Sequence, residues 1–147
     1  MKNSLLLILC LTLSSISCSK DDKSSDDITL HDWNLISIKF ENQITIIPQK
    51  DFFNDNAYIL KFSSQSAFSL NTSVNGAIGN YSINHVSNKI IISDYHEITE
   101  VGETSTDEKT INNLLIQLLN NATSFNVNLD DLILFGENEE FVFKKNK

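Results

Sequence analysis

Arginine is absent from this chain of 147 residues, and all eleven of its basic residues are lysines. Arginine is the side chain best suited to bidentate binding of phosphates and to stacking on bases. The formal net charge is −8. An acidic chain without arginine is a poor candidate for binding nucleic acid and for electrostatic adsorption on anionic membranes.

Long hydrophobic runs are also absent, apart from one near the N-terminus. Residues 5–13 form a predominantly apolar segment of nine residues that follows the cationic Lys2. A helix that spans a bilayer needs about 20 such residues. We therefore predict that residues 1–17 are a signal peptide for secretion and not a membrane anchor.

Cysteine occurs only at Cys10, inside the apolar segment, and at Cys18, which closes it. A cysteine at this point resembles the lipobox of bacterial lipoproteins, in which it is lipidated before the signal is cleaved in front of it. Ser15 stands where the commonest lipobox has leucine, and the alternative is an ordinary secretory signal in which Cys18 is incidental. After cleavage Cys18 would be the only thiol, and acylation would remove a liability in an oxidising compartment.

The residues after Cys18 are polar and acidic. We predict that 18–29 comprise the lipidated cysteine and a flexible tether of up to about 35–40 Å, followed by one domain at 30–147. Losing Lys2 with the signal changes the net charge from −8 to −9. Residues 19–22 also resemble the acid-rich signal that sends some lipoproteins to the cell surface. We therefore expect an outer-membrane anchor, with surface display and periplasmic retention both open.

Alternating apolar residues predict a chain rich in β-strands. The first strand, 33–40, would bury Ile36, Ile38 and Phe40. Further strands are predicted at 43–47 (before Pro48, the only proline), 58–62, 89–93, 124–127, 131–135 and 140–143.

Asn75-Gly76 predicts a hairpin, because both residues tolerate the positive φ of a type I′ turn. The predicted register pairs Val74 with Ala77, Thr72 with Gly79, Leu70 with Tyr81, and Phe68 with Ile83. The opposite face would then carry the polar side chains Asn71, Ser73, Asn80 and Ser82.

One helix is predicted at about 106–121. Ser105 and Glu108 have the spacing of a capping box, and an apolar stripe follows at Ile111, Leu114, Leu115, Leu118 and Leu119. The predicted fold class is α+β, a mostly antiparallel sheet or open barrel of about seven to nine strands with this helix packed on it.

This order of elements resembles the META domain of HslJ-like envelope lipoproteins over residues 30–145. The family's segment Cys-Asn-x-x-x-Gly-x-Tyr is matched by Asn75, Gly79 and Tyr81, with Val74 in place of the cysteine. Residues 33–38, Glu108 and 131–134 also look like family positions. The resemblance implies a part in envelope stress tolerance, without any role that depends on a thiol. We interpret Asn75, Gly79 and Tyr81 as residues that build the sheet.

Catalytic and metal-binding motifs are not found in the sequence. Asp94 and His96 would share a strand face without a third ligand, and His31 and His85 lie apart from them. The calcium-type side chains Asp51, Asn54, Asp55 and Asn56 lack EF-hand spacing. We expect no enzymatic activity, cofactor or metal.

The predicted function is therefore that of a monomeric lipoprotein, held to the membrane at Cys18, with a structural or binding role and an unknown protein or small-molecule partner. Phe52, Phe53 and Tyr58 would cover the end of the sheet or form a contact patch. Two alternatives are a lipocalin-like barrel that binds an apolar ligand and an inhibitor of an extracellular hydrolase. The inhibitor would use the loops at 48–56 and 94–106.

Overall fold

The computed structural model describes residues 27–41, 43–47, 57–73, 75–99 and 105–146. These residues form an antiparallel sheet of nine strands and one α-helix, which confirms the predicted α+β class. A short 3₁₀ helix, Ile28–Leu30, precedes the sheet. The strands are β1 (Asp32–Phe40), β2 (Gln43–Ile46), β3 (Ile59–Phe62), β4 (Ala67–Asn71), β5 (Asn75–Asn84), β6 (Lys89–Thr99), β7 (Ser124–Asn128), β8 (Asp131–Phe135) and β9 (Glu139–Lys145), with helix α1 (Thr106–Asn121) between β6 and β7.

The first and last strands pair with each other, so the sheet closes on itself. On one side β1 pairs with β9 along most of its length, and on the other side with β3 and then β2. Strands β1 and β3–β9 therefore form a closed ring of eight strands, to which β2 is attached at the second half of β1. The junction of β6 and β7 rests on one register pair, Lys89 with Ser124.

The ring has two distinct ends, because antiparallel neighbours place successive connections at alternate ends. The terminus end carries the start of β1, the turns at 63–66, 85–88 and 129–130, and the end of β9. The helix end carries the turns that follow β4 and β8, the end of β6, and the middle of α1, where Asn112 and Ile116 lie beside Asn75. Backbone bonds join the parts of the terminus end, with the Asn146 N–H 2.8 Å from the Asp32 carbonyl oxygen and the Lys145 N–H 2.8 Å from the Asp130 carbonyl oxygen.

Side chains fill the interior of the ring. Trp33, Phe141 and Phe143 are at most 1% exposed, and they belong to one apolar cluster together with Leu115 and Leu118 of α1. Burial of these large apolar groups supplies the main driving force for folding. The predicted helical stripe is thus confirmed as part of the core.

Helix α1 begins and ends at the predicted residues. The Ser105 hydroxyl oxygen accepts the Glu108 N–H at 3.1 Å, and the Glu108 carboxylate accepts the Ser105 N–H at 3.0 Å. The predicted capping box is therefore confirmed.

The predicted register of the β4–β5 hairpin is wrong. Leu70 pairs with Ala77 and not with Tyr81. The Thr72 hydroxyl accepts the Asn75 N–H at 2.9 Å and donates to the Asn75 carbonyl oxygen at 3.0 Å, which closes a loop before Asn75-Gly76. Asn75 and Gly76 belong to β5, and Gly76 lacks the positive φ of a type I′ turn.

The shift on β5 is an even number of residues, so most side chains stay on their predicted face. Ser73 is the exception, because it is buried and not on the outer face. Val74, which the predicted register also used, lies outside the described residues.

The predicted inner face of β1 is also partly wrong. Trp33, Leu35 and Ile38 are buried, whereas Phe40 is 38% exposed and Ile36 is only half-buried. The register with β9 shifts between Leu35 and Ser37. This bulge inserts one residue and reverses the alternation that simple periodicity predicts.

The folded part begins before residue 30. Ile28 is fully buried in the core, and its carbonyl oxygen accepts the Trp33 indole N–H at 2.9 Å. The Asp27 carboxylate caps the 3₁₀ helix through the Thr29 N–H at 2.9 Å. A buried indole N–H needs an acceptor, and the Ile28 carbonyl oxygen supplies it. The segment 18–29, predicted as a tether, therefore includes a residue of the core.

Candidate functional site

Cys18, the predicted lipidation site, lies outside the described residues. So do Phe52 and Phe53 and the calcium-type side chains of 51–56. Asp27, the first described residue, follows Cys18 by nine positions. Among the described residues, the helices are too short or too polar to cross a membrane.

Asp94 and His96 lie in a strand, because β6 continues to Thr99 and does not end near residue 93. Asp94 has a φ of 49°, at the point where the register with β5 shifts between Ile78 and Asn80. Both Asp94 and His96 are exposed. Within the described ranges, no three His, Cys, Asp or Glu side chains are placed to hold a metal ion. The sequence predicted a loop at 94–106. Residues 94–99 belong instead to β6.

The other two histidines pack against aromatic side chains. The His31 ring meets Trp33 edge to face at 5.8 Å between centroids, and His85 meets Phe125 at 5.9 Å. Edge-to-face contacts of this kind stabilise packing. These contacts assign both histidines to the structure of the terminus end.

An acidic pocket of about 240 Å³ opens at the helix end, where β1, β8 and β9 meet. Glu41, Glu137, Glu139 and Glu140 line it together with Lys39. Glu139 is only 8% exposed, and its carboxylate accepts the Asn138 N–H at 3.1 Å. The Lys39 ammonium nitrogen lies 3.7 Å from a carboxylate oxygen of Glu140. The pocket can attract cations electrostatically, but it brings together no nucleophile and base.

A second, polar pocket of about 70 Å³ lies between the loop at 72–75 and α1. Thr72, Asn75, Glu97, Asn112 and Asn113 contribute to its walls. This volume suits water or a small polar group and is far below the size of pockets that enclose drug-sized ligands.

Asn75, Gly79 and Tyr81, which carry the family resemblance, occupy the sheet. The Tyr81 hydroxyl donates to the Ser63 carbonyl oxygen at 2.7 Å, and its ring lies 4.7 Å from that of Phe62. Burial, with a smaller contribution from Asp27, raises the pKa of Tyr81 above its usual value. These contacts give Tyr81 a structural task.

Three exposed apolar side chains at the terminus end were not singled out from the sequence. Leu30 is 48% exposed, Leu129 80% and Val86 99%. One local signal was available, since Leu129 follows a strand pattern and precedes another, where a turn normally takes glycine or asparagine. Leu30 and Val86 can be grouped with Leu129 only when the topology of the closed ring is known.

Comparisons with known proteins show the fold alone. No protein-family model and no curated protein matches the chain. The structure of a DUF4847 family protein from Bacteroides vulgatus is similar, with a TM-score of 0.58 and 14% identity over 82% of this chain and 96% of that one. A protein from Burkholderia xenovorans is also similar, with a TM-score of 0.65 and 15% identity over 82% of this chain and 84% of that one.

Proposed function

We propose that the chain is a cell-envelope lipoprotein whose domain has a non-catalytic, structural or binding role. The observation that carries the proposal is the apolar segment 5–13, which ends at Cys18 and gives way at once to an acidic run. A lipid on Cys18 would hold the domain at the outer membrane, on its periplasmic face or at the cell surface.

The described side chains support a role without catalysis. His31 and His85 pack on aromatic rings, while Asp94 and His96 are exposed on β6. A catalytic set needs a nucleophile or acid, a base and a group that orients it, all within hydrogen-bond reach. The described residues do not bring such a set together, so the proposal gives the domain a binding or structural task.

A META-like domain with a part in envelope stress tolerance is the form of this proposal that the resemblance favours. The contacts of Tyr81 and the loop formed by Asn75 support a structural reading of the matched residues. The burial of Leu115 and Leu118 supports a domain in which the helix completes the core.

A lipocalin-like domain that binds an apolar ligand is the second candidate, because a closed ring of eight strands can enclose one. The filled interior argues against it, since Trp33, Phe141 and Phe143 occupy the space that a ligand would need. An apolar fluorophore titrated into the purified protein should show no saturable binding. Stoichiometric binding would favour the lipocalin-like alternative over the META-like one.

The lipid anchor is tested by replacing each cysteine separately. Cys18→Ser should abolish incorporation of labelled palmitate and release the protein from the membrane fraction. Cys10→Ser is the matched control, because Cys10 lies within the predicted signal peptide, and it should leave labelling intact. Unchanged labelling of Cys18→Ser would refute the assignment.

A further inference from the structure

We propose that the terminus end of the ring is a membrane-docking surface, on which Leu30, Val86 and Leu129 contact the lipid bilayer. The proposal rests on the lipid anchor proposed at Cys18 and adds an orientation to it. The partner is the bilayer surface itself, in contact with protein side chains as well as with the acyl chains on the cysteine.

The three side chains come from three separate connections that the topology brings to one end. Leu30 ends the 3₁₀ helix before β1, Val86 lies in the turn between β5 and β6, and Leu129 lies in the turn between β7 and β8. Lys145 ties two of these connections together. It pairs with Trp33, and its ammonium group donates to the Leu129 carbonyl oxygen at 3.2 Å.

Leucine is an unfavourable residue at position 129, which lies in a turn exposed to solvent. Asn128 pairs with Asp131, so Leu129 and Asp130 form a two-residue connection, and Leu129 has a φ of 51°. Glycine or asparagine adopts this conformation more readily. The side chain is also 80% exposed. Backbone conformation and solvation both disfavour leucine here, and contact with an apolar phase would offset the second of these costs.

Val86 is held out from the ring by a well-bonded turn. The Asn84 side-chain oxygen accepts the Val86 N–H at 3.0 Å and the Ser87 N–H at 3.1 Å. The valine side chain is 99% exposed, so it contributes nothing to the core. Its environment in solution is water alone, whereas a bilayer interface would bury it.

The anchor would enter the bilayer from this same end. Nine positions separate Cys18 from Asp27, a reach of at most about 30 Å. A short linker of this kind keeps the terminus end at a high effective concentration near the lipid surface. Contacts of the three side chains would then add to the anchor and favour one orientation.

The charge distribution favours the same orientation. Among the described residues, the terminus end has balanced charges, from Asp27, Asp32, Asp130 and Asp131 and from Lys61, Lys89, Lys144 and Lys145. The helix end has an acidic excess, from Glu41, Glu97, Glu137, Glu139 and Glu140 against Lys39. An anionic leaflet therefore repels the helix end more strongly than the terminus end.

Cysteine labelling of the mature, acylated protein tests the docking. Cys18 is the only cysteine expected in that chain and its sulfur carries the lipid, so Val86→Cys and Leu129→Cys each provide one free thiol for an environment-sensitive fluorophore. Asn138→Cys, in the exposed turn at the helix end, is the matched control. Each labelled protein is reconstituted on vesicles of phosphatidylethanolamine and phosphatidylglycerol, with and without lipids that carry a quencher in the acyl chain.

Docking predicts a blue shift and a loss of emission at positions 86 and 129, but not at 138. Protein that stays with the vesicles while all three probes remain unquenched, or are quenched equally, would overturn the docking and leave the anchor intact. Protein that fails to bind the vesicles would instead refute the anchor. A variant with Leu30→Ser, Val86→Ser and a probe at 129 should lose the blue shift while its melting temperature stays unchanged.

Discussion

Gly79 lies so close beneath Tyr95 that an added β-carbon would sit 2.7 Å from both the Cα and the Cβ of Tyr95. The ring of Phe68 would be only 2.9 Å away on another side. Gly79 sits where the β5–β6 register shifts, between Ile78 and Asn80, and its φ is not positive. The position therefore requires glycine for space between two strands and not for backbone freedom.

Gly79→Ala should lower the free energy of unfolding by about 1–3 kcal/mol, the usual cost of forcing atoms into a packed region. Urea titration of the purified protein measures this loss. Gly76→Ala is the matched control and should cost less, because its new β-carbon would meet no atom closer than the Leu70 carbonyl oxygen at 3.1 Å. An equal loss at both positions would contradict the assignment.

Leu115→Ala or Leu118→Ala should destabilise the protein by about 2–5 kcal/mol, as expected when a buried leucine is truncated. Both side chains are at most 1% exposed. Gln117→Ala, on the exposed side of α1, should change stability by no more than about 0.5 kcal/mol. If both leucine variants fall within that limit in urea titrations, α1 is not docked on the ring.

Stability should decrease at alkaline pH through Tyr81. Its folded-state pKa is raised by burial and by Asp27, so folding favours the neutral phenol. This contribution is fully present below the unfolded pKa of 10.0 and is lost as the pH rises from there through the folded pKa. Unfolding measured between neutral and strongly alkaline pH should show the decline, and Tyr81→Phe should remove the part that comes from this group.

Leu129→Gly should leave the free energy of unfolding unchanged or raise it by up to about 1 kcal/mol, because the left-handed conformation strains a residue with a β-carbon. The gain is limited by the greater freedom of glycine in the unfolded chain. Thermal melts of the protein in detergent-free buffer measure the change. A loss of more than about 1 kcal/mol would mean that Leu129 stabilises the ring itself, which would weaken the argument for its contact with lipid.

Helix α1 could be predicted to the residue because its signals are local. Ser105 and Glu108 cap the first turn, and the apolar stripe repeats at helical spacing over about two and a half turns, from Ile111 to Leu119. Neither feature depends on what the helix packs against, so sequence alone is sufficient.

The sequence predicts the positions of most β-strands, but it does not predict the register of the β4–β5 and β1–β9 pairs. The β4–β5 loop is closed by the Thr72 hydroxyl, a side-chain bond that competes with the stronger turn preference of Asn75-Gly76. The inner face of β1 changes at a bulge opposite β9, a strand about a hundred residues further on. Both errors come from contacts that a local pattern does not contain.

The proposed anchor can be recognised from local sequence, whereas the proposed docking surface cannot. Cys18 is recognisable from the residues around it, because signal peptides are read as linear sequences. Leu30, Val86 and Leu129 are far apart in the chain, and only the alternating ends of an antiparallel ring bring them together. Their grouping is a property of the topology.

The pairing of β1 with β9 also sets the order in which the molecule can be completed. Phe141 and Phe143, both fully buried, belong to the last strand, and their neighbour on β1 is among the first residues of the domain to leave the ribosome. Contacts between such distant segments slow folding, because a long loop must close before they form. A nascent or exported chain therefore cannot complete its core before β9 emerges, and until then it exposes apolar surface of the kind that favours aggregation.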